Sequence, residues 1–208
     1  MLVVVGAGAI RGWRRADHLR DLANLNRIHL YESTMVFEWV LLGFVLLGVW
    51  LKRASLLEVL GERWRSIRQF LTDAGIGLLF LLVTIIVTSI VGGHGGKDDA
   101  TTRFLLPQGR TEMLFWLALS VTAGICEEAV YRGYLQKQFM ALTKSVPAGI
   151  ILSGLLFGAA HSYQGFAKAS VIGVMGAAGG ILAYWRRTVR PGMIAHALQD
   201  VLGGFVGR

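Results

Sequence analysis

Apolar residues fall in long runs along this chain. Residues 74–91 carry no charge, and residues 34–51 are broken only by Glu38. Residues 113–126 are uncharged and lead into two glutamates, and residues 145–160 stop at His161. Residues 169–185 end at Arg186 and Arg187, and residues 191–207 are apolar apart from His196, Gln199 and Asp200. A membrane span takes about 20 mostly apolar residues. The pattern therefore predicts an all-α fold, a multi-pass transmembrane helical bundle of about six spans. The alternative, a soluble helical bundle, would have to bury all six runs in one small core.

The first third is read more coarsely. Residues 1–10 are apolar but too short to span, and without a leading basic region they make a poor signal peptide. Gly6-x-Gly8 is not a dinucleotide fingerprint, because Arg11 stands where the third glycine belongs. Residues 13–33 are polar, with Leu19, Leu22, Leu25 and Ile28 at three-residue spacing, which fits an interfacial helix or an unordered tail. Lys52, Arg53, Arg63, Arg65 and Arg68 mark a basic juxtamembrane loop facing lipid head groups. The expected division is a juxtamembrane segment 1–33, two spans with their loops over 34–110, and a core over 111–208. Gly154-xxx-Gly158 and Gly176-xxx-Gly180 are small-residue patterns that let helices approach closely in lipid.

Composition narrows the function classes. A hydrophobic share of 54% and only 16% charged residues exclude a disordered chain. A single cysteine, Cys126, excludes a disulfide scaffold, and with glutamates beside it the thiol reads as packing. The net charge of +8 would by itself invite nucleic acid, but with this apolar content no nucleic-acid partner is expected. With six spans, ten basic residues fall on one side and eleven on the other, so the positive-inside rule assigns no orientation.

The chemistry lies in ionisable residues at membrane depth, each costing at least about 2.5–3.5 kcal/mol at the centre of a span. Glu127, Glu128, Arg132, His161, His196 and Asp200 sit in or at the edge of the runs. Glu38 and Glu112, near the expected helix starts, read as helix-end charges reaching water. Glu128 and Arg132 share a helix face in the favourable order for an ion pair, whereas Glu127 points about 100° away and is free to act as a base. His196 and Asp200 share a face of the last run. A carboxylate, two imidazoles and a second carboxyl can activate water and stabilise an oxyanion. The same groups could hold zinc, although His-Glu-x-x-His is absent.

Glu127-Glu128-x-x-x-Arg132, Phe157-x-x-x-His161 and His196-x-x-x-Asp200, in this order on apolar helices, resemble the CAAX-protease and bacteriocin-processing family of intramembrane endopeptidases. The resemblance covers residues 111–208. It implies a multi-pass integral membrane protein of a bacterial cell membrane, with membrane lipid and a peptide or protein substrate as partners, and a site formed by the last four helices. It also implies that Glu127 activates water with His161, that His196 and the residue at 200 serve the oxyanion, and that Arg132 with Glu128 supports the site. The family has been described both as metal-free and as metalloproteases. The metal-free form is expected here; in a zinc form, Glu127, His161, His196 and Asp200 would be the ligands. The family often has Asn where this chain has Asp200, and an ionised aspartate cannot donate a hydrogen bond. An immunity or scaffold protein with little catalysis and a proton-linked transporter are the rival classes; the lack of internal repeats counts against transport.

Overall fold

A computed structural model describes residues 26–92 and 104–206. The dinucleotide-like glycines and most of the expected interfacial segment lie outside them. The described chain forms α1 (Arg27–Leu51), the short α2 (Leu57–Leu60), α3 (Ile67–Gly92) and α4 (Arg110–Glu127). A π-helical stretch, Glu128–Leu135, carries α4 without a break into α5 (Gln136–Thr143). Then follow α6 (Val146–Ala160), a 3-10 turn (Ser162–Gln164), α7 (Phe166–Arg186) and α8 (Arg190–Val206). No strand occurs among the described residues.

All six apolar runs become helices, but unequal ones. Four are long and apolar enough to cross a membrane: α1, α3, the continuous helix Arg110–Thr143, and α7. The 34 residues of Arg110–Thr143 extend for about 51 Å. α6 and α8, with 15 and 17 residues, reach only about 22 and 25 Å, short of a hydrocarbon core about 30 Å thick. The all-α multi-pass bundle expected from the six runs is therefore present, with four helices long enough to cross by themselves.

The first helix begins at Arg27, seven residues before the apolar run at Thr34, because Asn26 caps it and accepts the Ile28 amide at 3.0 Å. Its start is clamped to the segment before α4. Arg27 donates to the Phe104 carbonyl at 2.7 Å and pairs with Glu112 at 3.6 Å, and the Tyr31 hydroxyl donates to the Leu105 carbonyl at 2.6 Å. Glu112 lies in the first turn of α4, as a helix-start charge should.

α1 packs on α4 and the π stretch, α6 pairs with α7, and α8 packs against α3, α4 and α7. The outward faces of α1 and α3 expose Phe37, Trp39, Phe44, Leu79 and Leu82, a surface suited to lipid. The inner faces meet in an apolar core around Leu42, Val45, Cys126, Ala129, Val130 and Phe157, where Cys126 is a packing residue. The 52–69 segment is more than a basic loop. α2 presses Val59 into this core, and Gly133 is required because a Cβ there would run into the Val59 carbonyl.

Gly154 and Gly158 bring α6 against the α7 backbone, where any Cβ would meet Gly173, Ala169 and Ala177. Gly176 and Gly180 do something different. They admit the side chains of Arg132 and Gln136, which donate to the Gly176 and Gly180 carbonyls at 3.2 and 3.0 Å.

One polar cluster ties the bundle together at the junction of α3, α7 and α8. Asp73, 1% exposed, accepts from Trp64 Nε1 at 2.9 Å and from Arg186 Nη2 at 3.1 Å. Arg190 stacks on Trp64 at 4.8 Å. Asp73→Ala is expected to lower stability by about 1–3 kcal/mol, since two donors lose their acceptor. Thermal melting in detergent tests this, and an unchanged melt would show that the cluster holds nothing.

Candidate active site

The α winding ends at Glu127 and the π winding begins at Glu128. π segments occur frequently at functional sites. Here the change of winding falls between the two adjacent carboxylates. Every residue from Glu128 to Gly133 is buried, so this part of the helix faces protein all round.

Glu128 pairs with Arg132 at 2.9 Å, as the i, i+4 spacing predicted. Both side chains are almost wholly removed from solvent. The Arg132 guanidinium also lies 4.2 Å from the Phe157 ring centroid, so this cation is held by a carboxylate, a carbonyl and a ring face. Glu128 has a second task that the sequence did not reveal. His196 Nδ1 lies 3.3 Å from Glu128 Oε1. A carboxylate can only accept, so Nδ1 carries the hydrogen and the ring orientation is fixed. Gly192 on α8 makes room for this, because a Cβ there would sit 2.7 Å from Glu128 Oε2.

That orientation turns His196 Nε2 toward the other two carboxyls. It lies 3.6 Å from Glu127 Oε2 and 3.7 Å from Asp200 Oδ2. The Asp200 backbone is pinned as well, its carbonyl accepting from Trp116 Nε1 at 2.8 Å. Glu127, His196 and Asp200 thus form one group at the contact of α4 and α8.

His161 caps α6 and approaches the same group across Phe157. Its ring centroid is 4.7 Å from that of Phe157, which is 6.0 Å from His196. His161 Nδ1 donates to the Phe157 carbonyl at 2.9 Å, which leaves Nε2 as the ring's open nitrogen. Tyr163 stacks on the far side of His161 at 6.0 Å. The sequence reading named neither Tyr163 nor Phe157 as a site residue, although Phe157 opened one of the motifs.

Glu38 is a correction. It is 7% exposed and lies about three turns into α1, so it is not a helix-end charge reaching water. It stands on the face of α1 that carries Leu42, Val45 and Val49 into the core, so α1 brings a buried carboxyl into the bundle. A lone glutamate inside an apolar run was the available signal.

The donors as placed do not form a zinc set. Among the described residues, no group of three or more His, Cys, Asp or Glu side chains is positioned to hold a metal ion.

Residues 109–202 match the family described as type II CAAX prenyl endopeptidase Rce1-like. The match falls on the stretch that carries the three motifs. No curated protein and no solved structure matches the chain. The fold adds four helices long and apolar enough to cross a membrane, which is what an intramembrane family would require.

Proposed function

We propose that the protein is an intramembrane endopeptidase that hydrolyses a peptide bond with water activated by Glu127, without a metal. The observation that carries this reading is the arrangement around His196. Its Nδ1 is anchored on Glu128, and its Nε2 faces Glu127 and Asp200. A ring fixed on one nitrogen presents the other in a set direction, which is the preorganisation that oxyanion stabilisation needs.

In this reading Glu127 takes a proton from water, and the hydroxide adds to the substrate carbonyl. His196, protonated on both nitrogens between its carboxylate neighbours, donates Nε2–H to the oxyanion as charge develops there. His161, with Nε2 open, shares the proton transfer that delivers a proton to the leaving amine, and the C–N bond breaks. Glu128 and Arg132 hold the ring and the helix packing. Asp200 flanks His196 and orients it. The substrate is a peptide segment at the membrane, and the family's description makes a prenylated C-terminal peptide the first to try.

Asp200→Asn tests the metal-free form. The amide supplies a donor beside His196, so activity is expected to survive or rise, and to persist in strong chelator. Loss of activity both in chelator and in the variant would overturn the metal-free reading and favour zinc with Asp200 as a ligand. The readout is cleavage of a peptide library by protein reconstituted in liposomes, followed by mass spectrometry.

A further inference from the structure

The junction of α3, α7 and α8 that holds Asp73 borders a cavity of about 250 Å³, lined by Asp73, Arg186, Arg187, Thr188 and Arg190, with the exposed Glu62 and Gln69 completing its wall. That is room for a polyatomic ion, since one water needs only about 10–15 Å³. The charges around it do not balance. The Asp73 oxygens are taken by Arg186 and Trp64, and Glu62 pairs with Arg65 at 3.0 Å. Arg190 is 6% exposed, yet no carboxylate among the described residues pairs with it, and its Nη2 is buried with no acceptor. Arg186 Nε is likewise buried with no acceptor. The Thr188 hydroxyl accepts from the Arg190 amide at 3.5 Å and has its own hydrogen still to donate.

The Trp64 ring lies 4.8 Å from the Arg190 guanidinium and covers one of its faces. A ring face offsets only part of the cost of desolvating an ion, and buried charges are ordinarily paired with an opposite one. Among the described residues the chain supplies no anion for Arg190. The cavity lies where the apolar run of α3 begins, just after Asp73, and where that of α7 ends, at Arg186. This is the level of the membrane–water interface. Tyr184 and Trp185 are exposed there, as in an interfacial aromatic belt, and the basic 52–69 segment stands at the same end of the bundle.

We propose that this cavity binds a phosphate group, with the Arg190 guanidinium as its principal contact, and that the membrane supplies the group as the head group of an anionic phospholipid. A planar guanidinium held against a ring presents its N–H edge to a phosphate in a fixed direction. Thr188 adds a hydroxyl donor, and the exposed Arg187 adds charge at the rim. Arg190 also opens α8, whose first turn favours an anion. The same helix carries His196 about 9 Å further along its axis. Nothing in the site depends on whether the chain cleaves peptides. Free phosphate would meet the same donors, so the experiment separates the two sources.

The test is thermal melting of the full chain, stripped of lipid in dodecyl maltoside. Added dioleoyl phosphatidylglycerol is expected to raise the midpoint by about 5 °C near saturation. Dioleoyl phosphatidylcholine, whose choline offsets the phosphate charge, should raise it by less than half as much, and an equal rise would overturn the anionic head group. Sodium phosphate, matched in ionic strength with sodium chloride, is the free-anion arm. A rise there, with nothing added by phosphatidylglycerol, would uphold the phosphate site and overturn the lipid as its source. Arg190→Met keeps an unbranched stem against Trp64 and removes the charge. It should melt at or above wild type without additive and lose the rise in both arms. The same rise in Arg190→Met, or no rise in the wild type in either arm, would overturn the proposal. If Arg190→Met does not fold, Arg187→Gln decides, because its side chain is exposed. It should need about three- to tenfold more phosphatidylglycerol for half the rise, and an unchanged requirement would overturn the proposal.

Discussion

Glu127→Gln should lose peptide-bond hydrolysis by about 10²–10⁴-fold, the usual contribution of a positioned general base. Its helicity and melting temperature should stay close to wild type. The two halves of this expectation come from the same observation. Glu127 takes no part in the buried ion pair: its carboxyl faces His196, whereas Arg132 is held by Glu128. Gln keeps the size and one oxygen but cannot take up a proton. The measurement is single-turnover cleavage of the peptide library at saturating protein, beside a thermal melt. Full cleavage by the variant would remove Glu127 from the role of base and shift the proton work to His161.

Arg132→Ala should show the opposite pattern, a large loss of stability. The Glu128–Arg132 pair is buried on both sides, and removing one partner of a buried pair costs on the order of 3–5 kcal/mol. Glu128 would keep only the His196 Nδ1–H of its two partners. The Gly176 carbonyl and the Phe157 ring face would lose their donor too. Yield from membranes and the midpoint of thermal unfolding in detergent measure the effect. A midpoint within the error of wild type would show that the pair is not what holds this helix. The double variant Glu128→Leu with Arg132→Leu should recover much of the loss, because an apolar pair leaves no orphaned charge, while His196 loses its anchor and activity stays low.

Much of the architecture was legible because lipid imposes a simple demand: each crossing segment must be apolar and internally hydrogen-bonded. That is why the six runs all became helices. The reading stopped the third run at Cys126 because hydropathy counts charges and cannot see pairing. Glu128 and Arg132 neutralise each other at 2.9 Å, so the helix continues buried through Gly133 and on to Thr143. Local spacing gave the ion pair. It could not give the link from Glu128 to His196, which joins residues 68 positions apart. Counted from the apolar run at Thr34, Glu38 falls in the first turns of its helix and reads as an end charge. The cap at Asn26 moves the start back by two turns and puts the carboxyl deep in the bundle.

The change of winding at Glu128 makes the number of residues, more than their chemistry, the quantity this helix must keep. On its N-terminal side the carboxyl pair is docked to α8 through His196 and Gly192. On its C-terminal side Arg132 and Gln136 are docked to two carbonyls one turn apart on α7. The π stretch is the splice between these two moorings. Deleting one residue would let it rewind as α-helix and rotate one mooring relative to the other. A helix docked at one end only would absorb such a slip by fraying. This one is fixed at both ends of the splice, so Glu128–Leu135 should tolerate a change of length no better than the loss of Arg132 or Gly133.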